Sequence, residues 1–237
     1  MKDTGVDYRH GPWQQTLPSL AGQADLVICD PIYENLDLAY VDAAAEALRP
    51  GGSLYVFGDC SGIAETKIAL DAHPRLAFQN WLIMGPQDWG GRSARRWGQK
   101  HDDLLFYTCK GAPHTFNAQA VGVPKATAGS AFDRSGRDWK IPHSVWSDIA
   151  TFSTVSAERV RDDHGRAIRY QKPEAVIERI VRASSNPGDL VVDPFGGVAT
   201  VPAVCLRLGR RCVSCEIDPT SYIAGARRLQ HLLGPGA

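Results

Sequence analysis

Short apolar runs alternate with amphipathic segments along most of the chain, and this pattern predicts a sheet flanked by helices. Six runs have the length and composition of strands. They are Asp25–Cys29, Ser53–Phe57, Leu76–Ile83, Asp103–Thr108, Leu190–Val192 and Arg211–Ile217. Because little helical pattern separates the third run from the fourth, these two are predicted to be antiparallel neighbours.

Helical periodicity fills most of the other intervals. The predicted helices are Leu36–Leu48, Ser61–Ala72, Pro173–Ala183, Thr200–Leu208 and a last helix opened by Asp218 and Pro219. Repeated alternation of strand and helix indicates the α/β class, with a mostly parallel sheet and helices on both faces.

Chain length and one change of composition predict the domain organisation. A chain of 237 residues is long enough for one large α/β domain, so we expect residues 1–237 to form a single domain. Residues 110–170 are rich in Gly, Ser, Thr, Pro and Arg and have weak periodicity. A loop-rich stretch of this length inside a compact domain is usually functional or disordered, and we predict an inserted region there.

The charge is unevenly distributed along the chain, although the net charge is zero. Residues 85–170 hold 13 Lys and Arg against 9 Asp and Glu. A basic middle on an acidic body favours a surface that docks phosphates, although a chance fluctuation would give the same count.

The cysteines and the hydropathy pattern indicate the cellular setting. There are six cysteines, no apolar signal segment at the N-terminus and no apolar run long enough to span a membrane. We therefore expect a reduced, cytoplasmic setting and no membrane partner. Cys212 and Cys215 have C-x-x-C spacing, but they lie in a predicted strand without a second pair or a nearby histidine. That context favours buried thiols over a metal or redox site.

One group of residues that suits a cofactor follows the strand Leu190–Val192. Asp193 and the pair Gly196-Gly197 lead from the strand into a helix, so a ligand can approach the backbone closely at the carboxyl end of the sheet. The next strand carries Glu216 near its end, where an acid suits ribose hydroxyls. The alternative interpretation makes Asp193 a turn residue and Asp218 a plain helix cap.

A second group follows the strand Asp25–Cys29. Asp30 can accept a hydrogen bond from an amino group, and Pro31 presents carbonyl groups in a fixed turn. Tyr33 offers a flat face on which a base can stack. The alternative is an ordinary strand-to-loop turn, in which Asp-Pro is common.

In this order, these blocks resemble the DNA amino-methyltransferases of the N6-adenine/N4-cytosine type, in the β arrangement that places the catalytic motif before the cofactor motif. The matching segments are Asp30–Tyr33, Lys100–Asp103, Gln171–Glu174, Asn186–Asp189, Asp193–Gly197 and Glu216–Pro219. The resemblance covers nearly the whole chain.

The resemblance implies a fold and an activity. The fold is a circularly permuted, seven-stranded, Rossmann-like sheet of the class I S-adenosylmethionine-dependent methyltransferases. Val6–Arg9 is then the seventh strand, and residues 110–170 are the target-recognition region. The activity is methyl transfer from S-adenosylmethionine to the exocyclic amino group of a flipped base in DNA. N6 of adenine is favoured, because Asp at position 30 usually goes with adenine in the family. Formation of a homodimer is left open.

The resemblance also assigns roles to residues, and it implies no metal site. The catalytic residues are Asp30, Pro31 and Tyr33. The cofactor-binding residues are Lys172, Asp193, Pro194, Phe195, Gly196, Gly197, Thr200, Glu216 and Asp218. Basic side chains of the middle region are candidates for DNA contacts, with an ordinary solvated surface as the alternative. They are Arg92, Arg95, Arg96, Lys100, Arg134, Arg137 and Lys140.

Departures from the family pattern motivate other interpretations. Ile32 replaces the second proline of the catalytic motif, and Val198 and Ala199 replace a usual Ser-Gly pair. A catalytically weakened homologue that binds nucleic acid is therefore one alternative, and an N4-cytosine DNA methyltransferase is another. Methylation of RNA or of a protein amide is a third alternative. The basic insertion favours a nucleic-acid substrate over a protein substrate.

Overall fold

The computed structural model describes most of the chain in one α/β arrangement. The described residues are 5–33, 37–85, 94–95, 97–131, 133, 135–149 and 156–234. Within them, the main sheet has eight strands, and a separate two-stranded sheet lies in the insertion.

The strands are numbered in chain order. They are β1 (Val6–His10), β2 (Ala24–Cys29), β3 (Leu48–Gly58), β4 (Leu76–Met84), β5 (Asp102–Cys109), β6 (Val123–Pro124), β7 (Trp139–Lys140), β8 (Val145–Trp146), β9 (Leu190–Asp193) and β10 (Arg211–Glu216). The order across the main sheet is β1-β10-β9-β2-β3-β5-β4-β8, and β6 pairs with β7.

In the described part of the chain, six α-helices accompany the strands. They are α1 (Trp13–Thr16), α2 (Tyr40–Ala47), α3 (Ile63–Ala72), α4 (Glu174–Ser184), α5 (Thr200–Leu208) and α6 (Pro219–Leu233). None of the helices in the described part of the chain combines the length and apolar composition needed to cross a bilayer.

Two apolar cores lie on the two faces of the sheet, because the central strands are buried on both sides. In β2, Leu26 and Ile28 pack into the core that includes residues of α4, α5 and α6. Val27 and Cys29 pack into the opposite core, with residues of α2 and α3. The near-continuous apolar runs in the sequence therefore reflect a doubly covered sheet.

The strand topology agrees with the expected permuted sheet and adds one strand to it. β1, β10, β9, β2 and β3 are parallel neighbours. β5 is antiparallel to β4, as predicted, and it is also antiparallel to β3. The eighth strand, β8, comes from the insertion and pairs with the end of β4. A two-residue strand has no periodicity to detect, so the sequence did not predict it.

Several predicted boundaries are shifted, and the largest shift lies where α2 gives way to β3. The helix expected over Leu36–Leu48 is α2, which ends at Ala47, while residue 36 lies outside the described residues. Leu48 is instead the first residue of β3 and pairs with Ala24, and a register shift follows before Leu26 pairs with Ser53. Extending a strand through Pro50 and two glycines needs this sheet contact, which no local signal reveals.

The topology gathers acidic residues at one edge of the sheet. Parallel strands β2, β9 and β10 end next to Asp30, at Asp193 and at Glu216. Because β5 is antiparallel, its first residue, Asp102, lies at this same edge, and Asp103 pairs with Gly58 at the end of β3. Ligands of open α/β sheets bind at this edge.

Candidate active site

A cavity of about 460 Å³ lies at the carboxyl edge of the parallel strands. This volume is within the range of small-molecule sites. Eleven of the twelve residues predicted for catalysis and cofactor binding line this cavity. The eleven are Asp30, Pro31, Lys172, Asp193, Pro194, Phe195, Gly196, Gly197, Thr200, Glu216 and Asp218. The twelfth, Tyr33, contacts Asp30 directly, since its hydroxyl donates to Asp30 Oδ1 at 2.7 Å.

The turn after β9 is held tightly against β10 and β1. The Gly196 N–H donates to the Cys215 carbonyl at 2.8 Å, and the Tyr8 hydroxyl donates to the Gly197 carbonyl at 2.6 Å. A Cβ on Gly196 would lie 2.4 Å from Ser214 Oγ, so no side chain fits there. Gly197 has φ of +51°, and a Cβ there would meet only the Phe195 carbonyl at 4.0 Å. The turn thus exposes bare backbone to the cavity.

Glu216 fixes this turn from the neighbouring strand. Its Oε2 accepts from the Gly197 N–H and its Oε1 accepts from the Asp218 N–H, each at 2.7 Å. Burial raises the pKa of Glu216, while these backbone donors act in the opposite direction. A carboxylate has about four lone-pair sites, so both oxygens can still accept ligand hydroxyls.

Asp193 lies beneath the turn and is almost fully buried. Its Oδ1 accepts from the Phe195 N–H at 3.1 Å, and its Oδ2 accepts from the Ser214 hydroxyl at 3.2 Å. Burial raises the pKa of Asp193 to about 7, against the effect of these donors. The carboxyl group therefore has a structural part in shaping the turn and titrates near neutral pH.

The departure at Ala199 has a local cost that the fold tolerates. Ala199 is the residue before α5 and adopts the left-handed conformation, with φ of 59°. This conformation costs a non-glycine residue roughly 1–2 kcal/mol, which explains why the family pattern has glycine there. Ala199 is fully buried in the core, so its methyl group regains part of that cost by packing.

Asp218 and Thr200 have local partners as well as cavity positions. Asp218 caps α6, with its Oδ2 accepting from the Ser221 N–H at 2.7 Å. The Thr200 hydroxyl accepts from Arg228 at 3.2 Å. Since a guanidinium has no acceptor atom, the Thr200 O–H hydrogen is available to another acceptor. The cap interpretation of Asp218 and its cavity position are both correct descriptions of the structure.

Lys172 lines the cavity, and its ammonium group also lies next to Asp30 and Tyr33 of the predicted catalytic motif. Its Nζ lies 3.0 Å from Asp30 Oδ1, 3.7 Å from Asp102 Oδ2 and 3.1 Å from the Tyr33 hydroxyl oxygen. The ammonium group also faces the rings of Tyr33 and Phe57, at 5.4 and 5.1 Å from their centroids. We call the four residues Asp30, Tyr33, Asp102 and Lys172 the Asp30 cluster.

The electrostatics of the Asp30 cluster keep its cation charged. Burial acts to lower the pKa of Lys172, but the carboxylates of Asp30 and Asp102 outweigh it, and the pKa is raised. Burial likewise raises the pKa of Asp102, and the Lys172 ammonium counters only part of that effect. For Tyr33, burial and the neighbouring Asp30 together raise the pKa well above its ordinary value, so the hydroxyl remains a donor.

Several residues of the site could not be predicted from the sequence, because their placement depends on the topology. Asp102 lies in a segment that matched the family, but only the structure brings it to Lys172. Tyr8 and Phe57 support the site from β1 and β3, in positions that look like plain core residues in the sequence. Arg169 and Tyr170, at the end of the insertion, line the cavity, and Tyr170 has a positive φ of 63°. This non-glycine φ could not be detected from sequence.

The basic residues proposed for DNA contacts are only partly within the described structure. Arg92, Arg96 and Arg134 lie outside the described residues. The four that are described are exposed, and they are Arg95, Lys100, Arg137 and Lys140. Lys100 precedes Asp102 at the cavity edge of β5, whereas the Arg137 guanidinium stacks on Trp139, 5.0 Å from the ring centroid.

Comparison with known proteins finds a family with the same pattern. A family model for N6/N4 methyltransferases, described as DNA methylase, matches residues 31–224. Among curated relatives, the Type II methyltransferase M1.MboII of Moraxella bovis is 29% identical over 224 residues, which covers 85% of this chain and 82% of the relative. The DNA adenine methyltransferase YhdJ of Escherichia coli (strain K12) is 28% identical over 238 residues, covering 88% and 77%.

Solved structures show the same fold at lower identity. The M1.HpyAVI–SAM complex superposes with a TM-score of 0.70 at 19% identity, covering 95% of this chain and 99% of the other. PvuII DNA methyltransferase, described as cytosine-N4-specific, superposes with a TM-score of 0.72 at 18% identity, covering 98% and 88%. The sheet described above is therefore an established architecture.

Proposed function

Since the chain belongs to the N6/N4 family of DNA methylases, we propose that it transfers a methyl group from S-adenosylmethionine to N6 of adenine in DNA. The observation that carries this proposal is the single cavity that holds both Asp30 and the Asp193–Gly197 turn. Methyl transfer needs a hydrogen-bond acceptor for the target amino group next to the binding site of the methyl donor. This cavity provides the acceptor in Asp30 and the binding site at the Asp193–Gly197 turn.

The cavity has the chemistry that the proposed cofactor needs. Bare backbone at Gly197 and the acceptor oxygens of Glu216 suit a ligand that carries ribose hydroxyls and approaches closely. Phe195 and Ile217 add apolar lining on the same side. When bound, S-adenosylmethionine supplies an electrophilic methyl group on a positively charged sulfur. Glu216, Phe195 and the glycine turn would hold it.

The catalytic groups act by positioning the target amino group. The Asp30 carboxylate and the Pro31 carbonyl each accept one amino hydrogen, which directs the nitrogen lone pair towards the cofactor. The same carboxylate stabilises the positive charge that develops on nitrogen. Tyr33 stacks on the base, which has left the helix to enter the cavity. No covalent enzyme intermediate is required, so most of the acceleration comes from positioning.

The two sequence departures are compatible with an active site. The Ile32 side chain is 63% exposed at the rim of the cavity, where it leaves Asp30 accessible. Ala199 is accommodated behind the turn, in the core. These placements favour an active enzyme over a weakened homologue.

The choice of adenine rests on Asp at position 30 and on the described activity of YhdJ. It is tested by incubating the purified chain with duplex DNA and S-adenosylmethionine labelled in the methyl group, followed by mass analysis of the nucleosides. We expect N6-methyladenine. N4-methylcytosine would keep the site and overturn the base, while label in RNA or protein but not in DNA would overturn the proposed substrate.

Basic residues of the insertion are expected to contribute to DNA affinity. Replacing Arg137 and Lys140 by glutamine should weaken DNA binding and reduce the slope of log K against log salt by about 0.9 for each lost phosphate contact, since fewer counterions are released. The measurement is a salt titration of DNA affinity. Lys110→Gln is the matched control, because Lys110 follows the far end of β5, at the edge of the sheet away from the cavity. An unchanged slope would place the phosphate contacts outside this segment.

A further inference from the structure

The contacts within the Asp30 cluster distinguish the two carboxylate oxygens of Asp30. Two donors converge on one oxygen, because both the Tyr33 hydroxyl and the Lys172 ammonium contact Asp30 Oδ1. Within the described part of the chain, no hydrogen bond falls on Oδ2. Asp30 lines the cavity, so Oδ2 is the oxygen available to an incoming amino group.

The backbone around Lys172 is constrained on both sides. Gln171 is buried, and its side chain accepts from the Val160 N–H at 2.9 Å and donates to the Glu158 carbonyl at 2.9 Å. Pro173 follows immediately and caps α4. Lys172 therefore projects its ammonium group from a rigid segment into the space between Asp30 and Asp102.

The buried Lys172 ammonium needs Asp102 as a second carboxylate partner. If Asp30 were its only partner, the ammonium would lose that partner when Asp30 binds the substrate amino group. An unpaired buried charge is costly. Asp102, which is itself buried, remains next to the ammonium when Asp30 is engaged with the base. The cluster is thus built to keep a cation beside Asp30 throughout.

We infer that Lys172, charge-balanced by Asp102, is a positioning residue that holds the Asp30 carboxylate by its Oδ1 and turns its Oδ2 towards the target amino group. This inference rests on the proposed function and assigns Lys172 to the acceptor carboxylate, whereas the family resemblance assigned it to the cofactor. The reason is geometric: among the described residues, its polar contacts go to Asp30, Tyr33 and Asp102, at 3.0, 3.1 and 3.7 Å, and none goes to the Asp193–Gly197 turn.

The titratable groups around Asp30 determine in which direction its pKa should change when Lys172 is replaced. Tyr33 follows it in the chain, Asp59 follows β3, Asp102 begins β5, Lys172 precedes α4, and Cys29 and Asp193 end the adjacent strands. Lys172 is the cation that contacts Asp30, and Arg169 is a second cation that lines the same cavity. Removing Lys172 takes away the positive charge nearest to Asp30 among the described residues, so we expect protonation of Asp30 to become easier in the variant.

The test measures the protonation of Asp30 directly, without depending on activity. The chain is labelled with ¹³C at the aspartate carboxyl groups, and the Asp30 signal is assigned with Asp30→Asn and followed through a pH titration. In Lys172→Met the midpoint of Asp30 should rise by about 1–3 pH units, the effect of losing an opposite charge at this distance. In Asp102→Asn it should not rise, because a like charge has been removed. Lys67→Met, which removes a lysine paired with Asp71 on α3, is the matched control and should leave it unmoved.

Two further variants protect the test against a folding defect. Lys172→Arg retains the charge and should keep the wild-type midpoint. The double variant Lys172→Met/Asp102→Asn removes one charge of each sign, and its midpoint should lie between those of the wild type and Lys172→Met. Equal midpoints in the wild type, Lys172→Met and the double variant would overturn the inference.

Two functional readouts separate this role from cofactor binding. The acid limb of the single-turnover methyl-transfer rate should shift with the Asp30 midpoint, and calorimetry should give Lys172→Met the wild-type affinity for S-adenosylmethionine. A large loss of cofactor affinity with an unmoved midpoint would return Lys172 to the cofactor. If the wild type transferred no methyl group to DNA, the proposed function would fail, while the carboxyl titration would still decide the position of Lys172.

Discussion

Asp30→Ala is expected to cut methyl transfer by about 10²–10³-fold, the scale of losing one preorganised group that stabilises transition-state charge. The Asp30 carboxylate is the acceptor that directs the lone pair of the target amino group. Among the described residues that line the cavity, Asp30 is the acidic side chain that follows β2. The measurement is the single-turnover rate of label transfer from S-adenosylmethionine to duplex DNA.

The controls for Asp30→Ala concern folding and cofactor binding. Asp30 lies after the last residue of β2, outside both apolar cores, so the variant should keep its fold and bind S-adenosylmethionine as the wild type does. Asp42→Ala is the matched control, since Asp42 is an exposed aspartate on α2. Full activity in Asp30→Ala would show that the active site has been assigned wrongly.

Glu216→Ala is expected to weaken S-adenosylmethionine binding by about 1–3 kcal/mol, which is roughly 5- to 150-fold in Kd. The side chain would provide hydrogen bonds to the ribose hydroxyls, and it holds the glycine turn through the Gly197 N–H. Calorimetry with the purified chain measures the change.

Two variants separate the contact with the cofactor from support of the turn. Tyr8→Phe removes the hydrogen bond to the Gly197 carbonyl and leaves Glu216 in place, so it tests the turn alone. We expect a smaller loss of affinity in Tyr8→Phe than in Glu216→Ala. Equal affinity of Glu216→Ala and the wild type would rule out the ribose role.

The sequence predicts much of this fold because the central strands are buried on both faces. Apolar runs such as Asp25–Cys29 end abruptly in Asp-Pro, and this change marks both the strand and the edge where ligands bind. The order of the motifs then predicts the permuted sheet. Val145–Trp146 and the bulged start of β3 at Leu48 could not be predicted, because their strand conformation comes from pairing with distant strands.

Eleven of the twelve residues predicted for the candidate site line one cavity, but the internal arrangement of the site could not be predicted. The cofactor turn and Asp30 follow strands, so their meeting at one edge is a consequence of the parallel sheet. The position of Lys172 depends on how α4 packs and on the antiparallel direction of β5, which brings Asp102 to the same edge. Neither is encoded in local pattern, so the contacts of Lys172 with Asp30 and Asp102 could not be predicted from the sequence.

Methylation of DNA through Asp30 is tested most directly by modified-base sequencing of genomic DNA from two otherwise identical hosts, one expressing the wild-type chain and the other Asp30→Ala. We expect N6-methyladenine at one recurrent sequence with the wild type, and none at that sequence with the variant. Equal methylation in both hosts, or no methylated base in the wild-type host at matched expression, would contradict it.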